Sequence, residues 1–357
     1  MLGALLLCTT FCLSDGSHHL VGKSYDWDME QALVIANPRG LHKRALLLPG
    51  AGQARAARSS SGQHPRREDN NVGSPAEWDA KFASVTFNQY GRDMPNGGMN
   101  EAGLVVEVMW LDSSKAPAPD NRPAIGELGW IQMQLDTQAT VADAVRAADK
   151  VRVAPIGGKV HYMACDRTGA CATFENIGGK MVVTTGRDLK SKVLTNDTYR
   201  ASVGALAGYT GFGGKRAIPS GKSSLDRFVR AASLVGAGKP DRKVALAVLD
   251  SVRQGSYSKW NIVYDPVALR ISFRTASKPA LKEIDLKALA SDCKKAVRML
   301  DMATSAKGDV TARFVAYSLA ANKKLVETSL APMAASLPRG AAWLVAGYPA
   351  TARCKTR

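Results

Sequence analysis

Cys8 follows seven residues, MLGALLL, that are all apolar or glycine. Cutting the peptide bond before it would place a thiol and a free α-amino group on one residue. That pairing has its own chemistry. An α-amino group titrates at about 7.7–8.0, which suits a general base near neutral pH. A free thiol titrates at about 8.5 and is lowered by nearby cations. A thiol beside its own base can attack a weakly electrophilic carbonyl such as an amide. Taken alone, Cys8 reads first as an ordinary cysteine of a signal region. Asp26 in YDW, Asn196 in TND and Arg227 in DRFVR read just as readily, one at a time, as a turn carboxylate, a turn former and a solvated helix residue. Competing chemistries lack their motifs. His18, His19, His42, His64 and His161 form no HExxH or other metal spacing, and no GxSxG elbow occurs. GKRAIPSGKSS resembles a phosphate loop, but its first glycine lies at the wrong distance from GKS. A Ser-His-Asp triad has no local signature. No metal and no cofactor are expected.

The elements that must position these residues read as alternating blocks. Residues 8–36 begin as a hairpin, TTFCL and HLVGKSYDW around SDGSHH, and continue into the strand ALVIAN. FASVTFNQYG is strand-like, and GLVVEVMWL is a nearly continuous apolar run, as in a strand covered on both faces. ELGWIQMQLD and TVADAVRAADK read as helices, the second opened by a Thr140–Asp143 capping pair. The strands KVHYMACD, ACATFEN and KMVVTT follow, then two amphipathic helices, SSLDRFVRAASLVG and DRKVALAVLDSVRQ. WNIVYDPVALRISFRT is a strand–turn–strand unit. Strands then helices, twice over, predict a layered α/β (α+β) architecture with largely antiparallel sheets. Residues 51–77 are rich in Arg, Ser and Gly without hydrophobic period and are expected to form a mobile insertion. Its arginines, Arg55, Arg58, Arg66 and Arg67, read as a solvated loop. Residues 281–357 carry Lys-rich helical patterns and are expected to form a C-terminal helical extension of a domain over 8–280. Cys165 and Cys171 flank a turn and could bridge in an exported protein, or stay as two small buried thiols.

Four segments, in this order and spacing, resemble the choloylglycine hydrolase family, which includes penicillin V acylases and conjugated bile salt hydrolases. They are CTTFCL with GKSYDW, GGMNEAGLVVEVMWL, VLTNDTY and IPSGKSSLDRFVR. The resemblance covers roughly residues 8–275 and looks closer to linear-amide hydrolases than to the bile salt enzymes. It implies a four-layer αββα sandwich of the N-terminal-nucleophile superfamily, with a mature chain that begins at Cys8. It implies Cys8 as nucleophile, with its own α-amino group as base. Asp26 is implied as the carboxylate that orients the α-amino group and thiol. Asn196 is implied as a side-chain oxyanion donor, Trp110 as a backbone N–H donor, and Arg227 as the arginine beside the thiol. The family usually has Arg where this sequence has Lys23, which keeps the charge and loses the planar fork.

Composition bounds the rest. The chain has 357 residues, 45% hydrophobic, and a net charge of +17 from 48 Lys+Arg against 31 Asp+Glu. That balance favours contact with anionic surfaces or substrates, and reads first as a solvated basic surface. No zinc-finger spacing or RNA-binding aromatic signature supports a nucleic-acid partner. No apolar run reaches the roughly 18 residues of a membrane span. Met1–Leu7 lacks the basic start of a secretory signal and reads as a signal remnant or short pro-segment that is removed. Export to a periplasmic or extracellular space is the expectation. The expected partner is a small-molecule amide with an apolar acyl group, since Trp27, Trp110 and Trp130 suggest an apolar pocket. Homo-oligomer formation is compatible with this reading. Two other functions remain at this point: acyl transfer on the same fold, and a non-catalytic basic surface-binding protein.

Overall fold

The computed structural model describes residues 8–48 and 73–355. Strands are numbered along the chain. The first sheet has seven, in the order Val193–Leu194 (β14), Thr9–Ser14 (β1), His19–Asp26 (β2), Ser258–Asp265 (β15), Arg270–Thr275 (β16), Lys282–Asp285 (β17) and Gly308–Asp309 (β19). The second has nine: Lys180–Thr185 (β13), Cys171–Ile177 (β12), Val160–Cys165 (β11), Val105–Trp110 (β8), Gly97–Asn100 (β7), Ser84–Asn88 (β6), Leu33–Asn37 (β3), Arg298–Asp301 (β18) and Val315–Ala316 (β20). Leu41–Arg44 (β4), Glu77–Asp79 (β5) and Arg353–Cys354 (β21) form a small sheet, and Ala124–Ile125 (β9) pairs with Arg152–Val153 (β10). Both large sheets are antiparallel except for the β17–β19 pair.

The sheets lie face to face. Val85, Phe87, Met99, Val105, Met109 and Met163 of the second share one apolar core with Phe11, Cys12, Ile262 and Tyr264 of the first. Tyr199–Leu206 (α3), Ser224–Ala237 (α4) and Arg242–Ser251 (α5) cover the outer face of the first sheet. Glu127–Thr137 (α1) and Val141–Ala147 (α2) cover the second, over Trp130, Tyr162 and Phe174. This is the four-layer αββα arrangement. Strands covered on both sides are largely apolar, which is why β8 reads as a nearly continuous apolar run, interrupted by Glu107, and is buried up to Met109. The α2 helix opens on a capping box in which Thr140 and Asp143 satisfy each other's backbone N–H.

Two expectations change. The C-terminal region is not a helical extension. It supplies β17 and β19 to the first sheet and β18 and β20 to the second. The helical pattern at 285–302 yields only Leu286–Leu289 (α6), followed by β18. Pairing of β18 with β3 and a Cys293–Cys354 disulfide pull the chain out of the helix. A long helix forms only at Leu319–Leu330 (α7), capped by Ser318, with Ala341–Gly347 (α8) after it. The mobile insertion expected at 51–77 lies outside the described residues up to 72. Its last residues are fixed, with Ala76 buried and bonded to Ala45 and Ala124. Cys165 and Cys171 form a disulfide, while Cys8 and Cys12 are free thiols.

Candidate active site

Strand β1 and its neighbours gather most of the residues singled out in the sequence. Cys8 immediately precedes β1 and is buried. The hairpin partner β2 brings Lys23 opposite Thr10 and ends on Asp26. On the other side β14 pairs with β1 at Leu194, so the chain leaves the sheet edge at Asn196. Arg227 lies in the first turn of α4, a helix capped by Ser223 and packed on β1. It faces inward with Ala231 one turn on, and its side chain is fully buried. Trp110 ends β8 in the facing sheet.

Arg227 ties the group together. Its Nη1 donates to the Cys8 carbonyl at 2.7 Å and to Thr9 Oγ1 at 2.8 Å. Its Nη2 donates to Asn196 Oδ1 at 2.7 Å, and its Nε to the Lys222 carbonyl at 3.3 Å. A guanidinium only donates, so it fixes which end of the Asn196 amide is oxygen. Asn196 Nδ2 then points the other way and donates to the Trp110 carbonyl at 2.9 Å, with a second N–H still to give. Leu111 N–H donates to Lys159 across β11 and Val108 N–H to Asn96 on the opposite side. By the alternation of a strand, the Trp110 N–H points to that opposite side, beyond the end of β7.

The electrostatics favour a neutral thiol at rest. Burial pushes the Cys8 thiol above its ordinary value. The Lys23 charge opposes this, the Asp26 charge adds to it, and the Asp26 backbone N–H and Arg227 oppose it more weakly. Asp26 is pushed up to about 6 by burial, against hydrogen bonds from Ser258 and Ser24 and the charges of Arg227 and Lys23. Both serines donate to Oδ1, while Oδ2 is buried without a partner among the described residues. Lys23 is buried, donates to the Val108 carbonyl, lies 3.4 Å from Met109 Sδ and pairs with Glu107 at 3.7 Å. Cys12 sits elsewhere, beside the Cys165–Cys171 disulfide, and burial pushes it up to about 12. Those three sulfurs are the metal-capable cluster among the described residues, and the disulfide leaves it one thiol.

A cavity of about 380 Å³ opens beside Cys8. Trp27 and Trp110, with ring centroids 6.4 Å apart, line it together with Met94, Leu128 and Ile156. Leu330, Met333, Leu337 and Val345, from α7 to α8, complete its wall. Trp130 does not reach it; that ring packs on Tyr162 and Phe174 in the core under α1. Sequence reasoning missed the C-terminal wall, the two serines on Asp26, and Glu127. The Glu127 carboxylate accepts the backbone N–H groups of Ile156, Gly157 and Gly158 and so fixes a loop at the cavity. No local signal marks Ser258, Glu127 or the C-terminal wall, because each meets the site only through contacts between segments far apart in the chain.

No family model matches the chain. Penicillin V acylase of Pectobacterium atrosepticum is 26% identical over 257 residues, 59% of this chain and 68% of that protein. Penicillin V acylase from Agrobacterium tumefaciens superposes with a TM-score of 0.70 at 25% identity, over 87% of this chain and 98% of that one. A variant of conjugated bile acid hydrolase from Clostridium perfringens shares the fold, with a TM-score of 0.64 at 17% identity over 84% and 98% of the two chains. The sandwich and these relatives agree: the chain is similar to penicillin V acylases in sequence and in fold, and is an amide C–N hydrolase.

Proposed function

We propose that the enzyme hydrolyses a linear amide with an apolar acyl group, using Cys8 as an N-terminal nucleophile after removal of Met1–Leu7 during export. The observation that carries this reading is the Arg227 fork, which holds the Cys8 carbonyl and the Asn196 amide in one rigid unit at the edge of an apolar cavity. A second observation supports it. Near Cys8, Asp26 buries a carboxylate oxygen that has no partner among the described residues, an acceptor suited to the α-ammonium group that cleavage would create.

In this mechanism the α-amino group takes the thiol proton as sulfur attacks the amide carbon. The charge on the carbonyl oxygen is met by Asn196 Nδ2 and the Trp110 N–H, each donor contributing about 3–4 kcal/mol. The C–N bond then breaks, the amine leaves with the proton held by the α-amino group, and an acyl-thioester remains on Cys8. Water adds to the thioester, gives its proton to the α-amino group, and the acid departs as the thiol is restored. A neutral resting thiol needs such an adjacent base, so the raised Cys8 pKa accords with this scheme. The cavity volume lies within the range of about 300–1,000 Å³ for small-molecule sites, and its aromatic and aliphatic wall suits an apolar acyl group. The names of the relatives make phenoxymethylpenicillin the first compound to try.

The test is an acyl-panel hydrolysis screen, that compound included, on the chain beginning at Cys8. Expected are turnover, an acyl adduct on Cys8 seen by mass spectrometry, and no turnover from Cys8→Ala. Full activity in a chain that keeps Met1–Leu7 refutes the mechanism, because its α-amino group is then a peptide nitrogen.

A further inference from the structure

Lysine is a flexible point charge, so a lysine that must sit in one place needs partners to fix it. Lys23 is buried between the sheets, where an ammonium without a counter-charge is strongly disfavoured. Its only carboxylate within ion-pair distance among the described residues is Glu107, at 3.7 Å. Glu107 points into the same layer from the facing strand, β8, and is itself buried. Two features hold that carboxylate. Tyr264 on β15 donates its hydroxyl to Oε1 at 2.5 Å. Gly97, the residue opposite on β7, leaves room for it: a Cβ there would lie 2.3 Å from the carboxylate carbon and from both its oxygens. The chain thus has a glycine, a tyrosine and a glutamate on three strands arranged around one lysine. The proposed reaction gives Glu107 no step.

We propose that Glu107 is a positioning residue, whose carboxylate, clamped by Tyr264 over Gly97, holds the Lys23 ammonium against Cys8. The proposal rests on the reading of Cys8 as nucleophile. The titratable and charged groups around this layer are Cys8 before β1, Lys23, Tyr25 and Asp26 on β2, Tyr90, Glu107 on β8, Arg227 on α4 and Tyr264 on β15. Of these, Lys23 and Arg227 are the cations that favour the thiolate at Cys8, Lys23 more strongly. Arg227 has four hydrogen-bond acceptors of its own. Lys23 has Val108, Met109 and Glu107, and only the last is charged.

The experiment uses the chain beginning at Cys8 and four variants: Glu107→Gln, Tyr264→Phe, Lys23→Met, and Lys23→Met with Glu107→Gln. Turnover on the best amide of the panel and the pH profile of Cys8 alkylation are the two readouts. Glu107→Gln should lower kcat about tenfold or more with KM within about twofold, and should move the alkylation midpoint upward. In the Lys23→Met background the same change should alter kcat by less than about twofold, since the residue acts through the lysine. An equal fold-loss in both backgrounds overturns the proposal. So does a midpoint that stays put. A midpoint that moves downward also overturns it, because the carboxylate then only offsets the lysine charge. Should Glu107→Gln fail to fold, Tyr264→Phe frees the carboxylate without removing it and must shift the midpoint upward, and no shift overturns the proposal. Turnover that survives Cys8→Ala is a different failure and strikes the mechanism itself.

Discussion

Replacing Asp26 by asparagine removes a buried charge and leaves nearly the same shape. An acid whose pKa is raised on folding keeps its proton in the native state where the unfolded chain has lost it. Between the ordinary value of 3.8 and about 6 the native state binds more protons, so stability falls as pH rises through that window. At 1.36 kcal/mol per pH unit, the interval amounts to about 3 kcal/mol of stability withheld above pH 6. The asparagine keeps Oδ1 for Ser24 and Ser258. It also places an amide donor where Oδ2 lies buried, at a cost of about 1–3 kcal/mol that does not depend on pH. The change between two pH values therefore isolates the charge. In denaturant unfolding of the chain beginning at Met1, wild type should lose about 2 kcal/mol more than Asp26→Asn between pH 4 and pH 7.5, because the unfolded carboxylate is already partly ionised at pH 4. In the chain beginning at Cys8 an α-ammonium group stands beside Asp26 under the proposed mechanism, and the difference should shrink. Turnover of the chain beginning at Cys8 should be lost with the asparagine. Equal pH dependence in wild type and variant refutes the argument, and a difference that grows in the shorter chain refutes the pairing of Asp26 with the α-ammonium.

Arg227→Lys keeps a charge but loses the fork that orients Asn196, so kcat should fall about 100-fold with little change in KM, measured by steady-state kinetics. Leu337→Trp should narrow the cavity and shift preference toward shorter acyl groups, with kcat/KM for the largest falling about tenfold or more in the acyl panel. Cys354→Ser opens a disulfide between residues 61 apart and should cost about 2–4 kcal/mol in denaturant unfolding under non-reducing conditions.

The sequence made the hairpins and helices around Cys8 legible because their signals are local. The turn at SDGSHH marks the hairpin of β1 and β2, a nearly continuous apolar run marks β8, and Thr140–Asp143 and Ser223 mark helix starts. Residues 285–302 misled for the opposite reason. Leu286 and Leu289 carry helical spacing, but what decides the rest is pairing with β3, some 260 residues earlier, and a bond to Cys354. The same divide runs through the site. Cys8, Asp26, Asn196 and Arg227 stand in recognisable segments, and the structure brings them together with Trp110 and Lys23. Ser258 on Asp26, Glu107 on Lys23 and the C-terminal cavity wall come from register and packing between distant strands, and nothing adjacent in the sequence announces them.

Leu330, Met333, Leu337 and Val345 close the cavity that Cys8 opens. During translation Cys8 therefore emerges well before the residues that wall its cavity. A ribosome-bound or truncated chain could hold the thiol, its carboxylate and its arginine and still have no finished place for an acyl group. Under the proposed mechanism chemical competence and selectivity are separated in time, and the C-terminal fold is complete only when Arg353–Cys354 adds to the sheet of β4 and β5 and Cys354 finds Cys293. Proteolytic loss of the last helix would then leave an enzyme altered in what it accepts before it is altered in how it reacts.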